Sequence, residues 1–504
     1  MLFSSYKFLF EFLPVVWLLF MLARLHSARA GILTLAAASL FFYASWKQVY
    51  LALLLASIAA NYCFGLLIAR ARYPRAWAAA GVALNLLALG YFKYTNFIVD
   101  NVNALAGTSL SVAAIVLPIG ISFFTFQQIA YLADVERGVA AERDPLSFSL
   151  FVSFFPHLIA GPLVHHAEMI PQFKEERRKR WPILTARGIG IAIAGLFKKA
   201  VLADSFAQFS TPAFAHVDAG GMIEPRWAWA AALAYALQIY FDFSGYSDMA
   251  VGIALMFGIR LPVNFRSPYK SCSIIAFWRT WHITLSRFLR DYLYIPLGGN
   301  RRGKLRRYLN LMITMVLGGL WHGASWNFVI WGAIHGTCLG LNNLWHDTPW
   351  GQAKASPHSI SRWAARGLGW AATSGVVLMA WVFFRAKTLG GALTLASALL
   401  GLESAGGGTV YRPPGVFQFA GLPWAWASDM AAFPAAAIGG GLLIALALPN
   451  TAEVFRYREF RRAPTAKRAW QWRPSLAWAI AIAAAFTLSI LTMWQSLEFL
   501  YFQF

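Results

Sequence analysis

Two histidines stand within a largely apolar chain. His282 lies in the segment FWRTWHITLSRFLRDYLYIPLGGN at 277–300, and His322 lies in LGGLWHG at 317–323. Polar side chains are costly in lipid, so at membrane depth they usually mark a water-filled cavity or a site of chemistry. A histidine can act as a general base because its unperturbed pKa is about 6.5. These positions therefore predict a membrane-embedded enzyme or transporter.

Residues 277–295 show a further pattern if they form a single helix. At about 100° per residue, the polar residues fall on one face and the aromatic and aliphatic residues on the other. The polar face consists of Arg279, His282, Ser286 and Arg290. This arrangement favours a functional site around His282. The alternative is an amphipathic helix at the membrane surface, with arginines that contact lipid phosphates.

The second histidine, His322, has glycines on both sides. Gly318, Gly319 and Gly323 leave room for the close approach of another backbone or of a substrate. One interpretation of His322 is a general base. The other is a structural histidine that hydrogen-bonds to a neighbouring helix, and the spacing alone leaves both open.

Two acidic residues, Asp242 and Asp248, lie within the apolar segment 240–252. A carboxylate inside a membrane span is costly unless a positive charge pairs with it. We expect the partner to be an arginine of residues 277–290. Asp242 is therefore either a candidate substrate-binding residue or one half of a structural ion pair.

Three histidines, His157, His165 and His166, lie in the segment FFPHLIAGPLVHH at 154–166. Proline and glycine break a helix here, so these histidines could line a vestibule. A zinc site needs several such ligands close together. His157 and His165 are eight residues apart and no acidic cluster accompanies them, so we predict no metal site.

The composition is that of a membrane protein. Of the 504 residues, 59% are hydrophobic and only 13% are charged, whereas soluble domains carry about 25% charged residues. A net charge of +22 would suggest nucleic acid as the partner of a soluble protein. In a membrane protein it instead indicates basic cytoplasmic loops that face anionic lipids, and we expect no nucleic acid to bind.

The hydropathy pattern predicts an all-α, polytopic fold with about 12 transmembrane helices. Each predicted span approaches the roughly 20 residues that cross a bilayer. The predicted spans are 8–24, 31–46, 50–68, 77–98, 110–133, 183–205, 227–258, 309–326, 327–345, 367–386, 427–449 and 475–498. Two further segments, 146–166 and 273–296, contain proline, glycine and charge, which favours re-entrant or interfacial helices.

The distribution of charge between the spans predicts their orientation. Basic residues are concentrated in the loops 69–75, 174–181, 300–307 and 455–468, whereas 99–109 and 206–225 contain no lysine or arginine. Cytoplasmic loops retain lysine and arginine, so both termini are expected outside the cytoplasm. The segment 388–426 is expected to be an external loop with a short surface helix.

Several segments, in order along the chain, resemble the membrane-bound O-acyltransferase family. They are LFSSYKFLFEFLP at 2–14, GYFKYTNF at 90–97, LPIGISFFTFQQIAY at 117–131, FFPHLIAGP at 154–162, QIYFDFSGYSDMA at 238–250, NFRSPY at 264–269, FWRTWHITLSRFLRDYLYIPLGGNRRG at 277–303 and LGGLWHGASWNFVIWGAIHG at 317–336. Within the family, the bacterial branch that serves alginate O-acetylation is the most similar, ahead of the teichoic acid D-alanyl transfer branch.

This resemblance implies a single integral-membrane domain over 1–504, built as a helical bundle around a tunnel. Its core motifs lie within 117–336, and 350–504 matches least well. The histidine of the WHG motif, His322, would be the catalytic base and His282 its supporting partner. Substrate- and donor-binding candidates are Arg279, Ser286, Arg290, Arg301, Arg302 and Asp242.

The resemblance also implies a function and a location. The chain would lie in the bacterial inner membrane and use acetyl-CoA as a substrate, with no bound cofactor. The acetyl group would reach an exopolysaccharide such as alginate through a periplasmic acetyltransferase or relay protein. Alternatives are acetylation of cellulose or another glycan, D-alanyl transfer to teichoic acid, or a transporter. A transporter is disfavoured because the sequence shows no inverted repeat.

Overall fold

The computed structural model describes residues 1–112, 115–174, 181–349, 360–402, 408–413, 416–419, 422–425, 432–457, 471–493 and 500. The regular structure of these residues is almost entirely helical. The helices are α1 (Lys7–His26), α2 (Ala28–Ala44), α3 (Val49–Arg70), α4 (Pro74–Ala106), α5 (Ile121–Glu136), α6 (Pro145–Ser153), α7 (Phe155–Leu158), α8 (His166–Lys174), α9 (Trp181–Phe197), α10 (Asp204–Asp218), α11 (Pro225–Met256), α12 (Ile274–Trp278), α13 (Ile283–Leu289), α14 (Gly303–His322), α15 (Trp326–His346), α16 (Ile360–Arg385), α17 (Leu389–Leu399), α18 (Ala432–Ala447), α19 (Thr451–Val454) and α20 (Leu476–Thr492).

Three wider, π-helical turns extend these helices. Lys7–Phe12 forms the first part of α1, Lys198–Ala203 joins α9 to α10, and Arg290–Tyr294 follows α13. The two strands β1 (Val416–Phe419) and β2 (Leu422–Ala425) form a short antiparallel hairpin after α17. The fold is therefore an all-helical bundle with one small hairpin.

Several helices are apolar and long enough for a bilayer. Among the described residues, length and composition qualify four, namely α1, α3, α4 and the Trp363–Arg385 part of α16. Shorter apolar helices include α2 and α20. By contrast, α11 is buried along almost its whole length. The architecture is that of a polytopic membrane protein whose central helices are enclosed by other helices.

Glycines allow the central helices to pack closely. A Cβ atom at Gly195 of α9 would lie only 2.5 Å from the carbonyl oxygen of Gly245 in α11. A Cβ at Gly319 of α14 would overlap the carbonyl of Phe328 in α15. Small residues at such contacts let helix backbones approach each other in membranes. At Gly319 this close packing fixes the end of α14, next to His322.

Most of the predicted spans coincide with helices. The predictions at 8–24, 31–46, 50–68 and 77–98 correspond to α1–α4, and those at 227–258, 309–326, 327–345 and 367–386 to α11 and α14–α16. The two segments predicted as re-entrant or interfacial contain only short helices, α6 and α7 in one case and α12 and α13 in the other. A short helix is also present in 388–426, where one face of α17 is buried.

Three of the predicted boundaries are wrong. Among the described residues of the predicted span 110–133, the helix begins at Ile121, after a turn at Gly120 with a φ of 74°. The predicted loop 206–225 is largely helical, because α9 continues through the π-helical turn into α10. Residues 277–295 do not form one helix, because the chain is interrupted between α12 and α13.

Candidate active site

The interruption between α12 and α13 places His282. This residue has a left-handed conformation, with a φ of 41°, and stands directly before α13. The polar residue Asn264 stabilises the turn: its carbonyl accepts from Ile283 N at 3.0 Å, and its side-chain oxygen accepts from Thr284 Oγ1 at 2.7 Å. A left-handed non-glycine residue is uncommon and tends to occur at functional sites.

This turn divides the polar face that a single helix would have formed. Arg279 lies before the turn and is exposed. Ser286 lies in α13 and donates to the carbonyl of Trp281 at 3.4 Å. Arg290 is exposed and donates two hydrogen bonds to Asp291, at 2.7 and 3.0 Å. His282 alone of the predicted polar face is fully buried.

His322 is the last residue of α14. The carbonyl groups at this helix end accept hydrogen bonds from α4: Lys93 donates to the Trp321 and His322 carbonyls, and Tyr94 Oη donates to Leu320 O at 2.8 Å. A cation at a helix C-terminus satisfies orphan carbonyls and complements the helix dipole. The motif at 90–97 therefore serves to hold His322 in place.

The two predicted histidines lie close together. Their ring centroids are 6.4 Å apart, with an angle of 49° between the ring planes. His282 is 0% exposed and His322 is 6% exposed. The pair lies in the interior of the bundle, where a base could act in a site that limits access of water.

Aromatic rings surround the two imidazoles. The Trp321 indole lies 6.1 Å from His282 and 4.8 Å from His322, and Phe243 meets His282 edge-on at 4.6 Å. Trp331 and Phe384 each lie 5.1 Å from His322. These contacts restrict the orientation of both imidazoles. They also give the site apolar walls that can exclude water.

A third buried histidine, His335, lies next to this pair. Its Nδ1 accepts a hydrogen bond of 3.3 Å from Trp278 Nε1, which assigns the proton of the neutral ring to Nε2. The Trp331 ring contacts both His335 and His322, with centroid distances of 4.8 and 5.1 Å. The sequence analysis did not single out His335. Its signal would have been a histidine on the buried face of α15.

The predicted basic residues at the start of α14 lie far from His322. Arg301 and Arg302 are exposed at the start of α14, and a 20-residue helix spans about 30 Å. Nearby, Arg307 donates a 2.6 Å hydrogen bond to Asp347, which together with Lys304 keeps the pKa of that carboxyl below its usual value. These cations form one end of the bundle and do not contact the histidine pair.

Asp242 is part of a buried ion cluster. Lys199 Nζ lies 2.9 Å from Asp242 and 2.6 Å from Asp204, and all three side chains are nearly inaccessible. The backbone N–H of Leu500 also donates to Asp242, at 3.1 Å. The geometry therefore supports a structural ion pair, and not substrate binding, as the role of Asp242. The predicted arginine partner is wrong, because lysines take its place: Lys199 pairs with Asp242, and the adjacent Lys198 pairs with Asp248 at 2.6 Å.

The three histidines of residues 154–166 do not form one cluster: His165 and His166 both approach Asp134, at 3.4 and 3.9 Å, and His157 does not share this contact. His157 is buried, whereas His165 joins a polar network with Asp134, Tyr292 and Arg287. Tyr292 Oη lies 2.7 Å from Asp134 and 2.9 Å from His165, and Arg287 donates to His165 Nε2 at 2.9 Å. Within the described ranges, no group of three or more histidine, cysteine or acidic side chains is arranged to hold a metal ion.

A polytopic helical bundle with a buried histidine pair defines a membrane protein suited to acid–base chemistry. Residues 140–348, which contain both histidines, match the sequence model of the membrane-bound O-acyltransferase family. Relatives at more than 40% identity cover about four fifths of the chain. The chain belongs to the membrane-bound O-acyltransferase family and is an acyltransferase.

Similarity to named relatives indicates which acyl group is transferred. The chain is 42% identical to the peptidoglycan O-acetyltransferase of Helicobacter pylori over 437 residues, 80% of each chain. It is 44% identical to the probable alginate O-acetylase AlgI of Azotobacter vinelandii over 411 residues, 79% of this chain and 78% of the relative. A teichoic acid D-alanyltransferase of Streptococcus thermophilus is 28% identical over 240 residues, 45% of this chain and 57% of the relative. The chain is thus a membrane O-acetyltransferase.

Replacement of His282 should lower acetyl transfer without loss of the fold. His282→Asn keeps a residue that tolerates the left-handed conformation, whereas His282→Ala also strains the turn. We expect both variants to be about 10–100-fold less active, which is the usual cost of losing a supporting group. Acetyl transfer would be measured at equal amounts of membrane protein. Near-normal transfer by His282→Asn would show that the turn, and not the imidazole, is what matters.

Proposed function

We propose that this chain moves acetyl groups from acetyl-CoA on the cytoplasmic side of the bacterial inner membrane to a hydroxyl acceptor on the opposite side. The acetyl groups serve O-acetylation of an exopolysaccharide such as alginate, through a periplasmic partner. The observation that carries the proposal is the buried pair of His282 and His322. The pair lies inside the bundle at the C-terminal end of α14. Exposed cationic residues lie at the opposite end of this helix.

The proposed chemistry is transfer of an acyl group from a thioester to a hydroxyl. His322 removes the proton of the attacking hydroxyl. The hydroxyl oxygen bonds to the acetyl carbon while the carbon–sulfur bond breaks, and the proton passes to the sulfur of coenzyme A. Trp321, Trp331 and Phe384 around His322 limit hydrolysis by water. His282 supports this step by its position beside the base.

The proposed donor side is the cationic end of the bundle. Arg301, Arg302 and Lys304 are exposed there and can bind the phosphates of coenzyme A. Arg290 is also exposed, although it pairs with Asp291. The alternative role of these residues is contact with lipid phosphates. In this orientation both termini lie outside the cytoplasm.

The acceptor polymer is inferred from the names of the relatives. The relatives are named for alginate, peptidoglycan and teichoic acid. The chain has greater sequence identity and coverage with the O-acetylation relatives than with the D-alanyltransferases, which supports O-acetylation as the function. Acetylation of cellulose or another glycan is the alternative. The predicted external loops are short apart from 388–426, which supports a separate periplasmic protein as the one that handles the polymer.

The relay can be tested by following coenzyme A release from acetyl-CoA by the purified chain in lipid. Without a partner, release should be slow, because no acceptor hydroxyl reaches His322. Addition of the periplasmic partner protein should accelerate it, and His322→Gln should abolish the acceleration. If the chain alone acetylates added polysaccharide at the full rate, the relay is wrong.

A further inference from the structure

An open cavity of about 350 Å³ lies next to the end of α14. Part of its wall is formed by Gly323, Ala324 and Ser325, which directly follow His322. Lys93 also lines it and donates to the His322 carbonyl at 3.1 Å. The cavity therefore adjoins the proposed base. In the predicted topology it opens on the side opposite the cationic start of α14.

Three cations line this cavity, and none of its described lining residues is acidic. They are Lys93 of α4, Arg385 at the end of α16, and Lys387, which is exposed. A carboxylate that contacts this segment, Asp218, accepts the backbone N–H groups of Lys387 and Thr388. Asp218 thus caps the start of α17. The cavity has the charge of an anion-binding site.

Arg385 is positioned to bind a ligand. The side chain is only 8% exposed, and its guanidinium lies over the rings of Phe214 and Tyr235, at 5.5 and 6.0 Å. Its Nε has no hydrogen-bond partner within the part of the chain that the structure describes. A guanidinium that stacks with its face on aromatic rings keeps its N–H edge available for a carboxylate. This buried donor is a second, independent indication of an anionic ligand.

The rest of the wall indicates the type of ligand. Apolar groups contribute much of it, including Phe92, Leu117 and Phe328, whereas the neutral polar side chains are Asn96 and Ser325. The periplasmic partner of the proposed function is a protein, so the ligand that this positive charge and these apolar side chains fit is a protein segment with a carboxylate, a hydroxyl and apolar neighbours.

We propose that this cavity binds an acidic, hydroxyl-bearing segment of a protein acceptor, with its carboxylate held by Arg385 and Lys387. The hydroxyl is thereby directed toward His322. The inference rests on the proposed function for the direction of transfer, and it specifies the chemical class of the first acceptor. Acidic polysaccharide is the competing ligand, and the experiment below separates the two.

The test uses the full-length His322→Ala chain in lipid nanodiscs, so that binding is observed without turnover. The probe is a blocked hexapeptide with one serine between two glutamates, and its control has glutamines instead. The readout is the rate at which a water-soluble acylating reagent modifies Lys387, followed by mass spectrometry. Lys47 is also exposed and lies on the same predicted side, so it serves as the internal reference.

We expect the glutamate peptide to slow modification of Lys387, but not of Lys47. At about four times its Kd, the peptide should reduce the rate about fivefold. The glutamine peptide should have no effect, and Arg385→Gln should remove the protection, whereas Arg385→Lys should retain part of it. Replacement of Arg385 can disturb the fold because this residue is buried. The exposed Lys387 therefore gives a second variant, Lys387→Gln. Its affinity for the glutamate peptide, measured by calorimetry, should be several-fold weaker.

Equal protection by both peptides, or unchanged affinity in Lys387→Gln, would overturn the proposal. Protection by an oligouronate but not by the glutamate peptide would overturn it in favour of an acidic polysaccharide. Coenzyme A release by the wild-type chain in the presence of the periplasmic partner is measured in parallel. Peptide protection without any release would contradict the proposed function alone, and release without peptide protection would contradict the acceptor site alone.

Discussion

His322→Ala should abolish acetyl transfer while the protein still accumulates in the membrane. Loss of a general base costs about 10²–10⁴-fold. Here, the ring centroid of the neighbouring His282 lies 6.4 Å from that of His322, so His282 does not occupy the position of the base. The helix end should persist, because Lys93 and Tyr94 bind backbone carbonyls and not the imidazole. Acetyl transfer per amount of membrane protein measures the effect.

His322→Gln is the matched control, because it retains hydrogen-bonding groups but cannot act as a base at neutral pH. It should be as inactive as His322→Ala. His335→Gln removes another buried histidine of the same aromatic cluster and should retain more activity, since His335 hydrogen-bonds to Trp278 and is not the proposed base. Substantial transfer by either His322 variant would remove this residue from the mechanism.

Lys199→Met should destabilise the protein by about 3–5 kcal/mol, because it leaves two buried carboxylates without their counter-ion. Lys199 lies within 2.9 Å of both Asp204 and Asp242, and its side chain is 4% exposed. The variant should accumulate poorly and lose its monodisperse elution at a lower temperature. The midpoint of thermal unfolding in detergent measures the change.

The adjacent lysine gives the control for this prediction. Lys198 pairs with Asp248 at 2.6 Å, but both side chains are partly exposed, so Lys198→Met should cost less. The double variant Lys199→Met with Asp242→Asn should be more stable than Lys199→Met alone, because it removes one unpaired charge. If Lys198→Met lowers the midpoint of thermal unfolding more than Lys199→Met does, the buried cluster of Lys199, Asp204 and Asp242 does not stabilise the fold as predicted.

The sequence singled out the two histidines that the structure brings together. Their burial beside each other follows from two motifs that end and interrupt helices. The single polar face at 277–295 was wrong because periodicity describes only local structure. The contact that interrupts the helix comes from Asn264, which binds Ile283 and Thr284 across the turn. Such long-range pairing has no signature in the spacing of residues 277–295.

The partner of Asp242 was missed for a related reason. Lys198 and Lys199 follow an apolar helix directly and resemble the basic end of a membrane span. The chain instead remains helical through the π-helical turn, and the lysines turn into the bundle toward Asp242 and Asp248. Charge patterning predicts which loops are basic, but it does not distinguish a lysine at a membrane surface from one buried in an ion pair.

Two further residues near His322, Lys93 and His335, were not predicted from the sequence. Lys93 was quoted only as part of a motif, although its ammonium holds the end of α14 at His322. His335 lies 13 positions after His322, in the neighbouring helix α15. Its proximity depends on the glycine contact between α14 and α15. Both roles require knowledge of which helices pack together.

The most direct test of the account is transfer of acetyl groups across a sealed membrane. Vesicles with uniformly oriented protein would contain acetyl-CoA, labelled in the acetyl group, on the side of Arg302 only. The partner protein would be present on the other side only. The account predicts labelled ester on the partner with wild-type protein and none with His322→Gln. Label that reaches the partner only when acetyl-CoA is supplied on the partner's side would contradict transfer through the membrane.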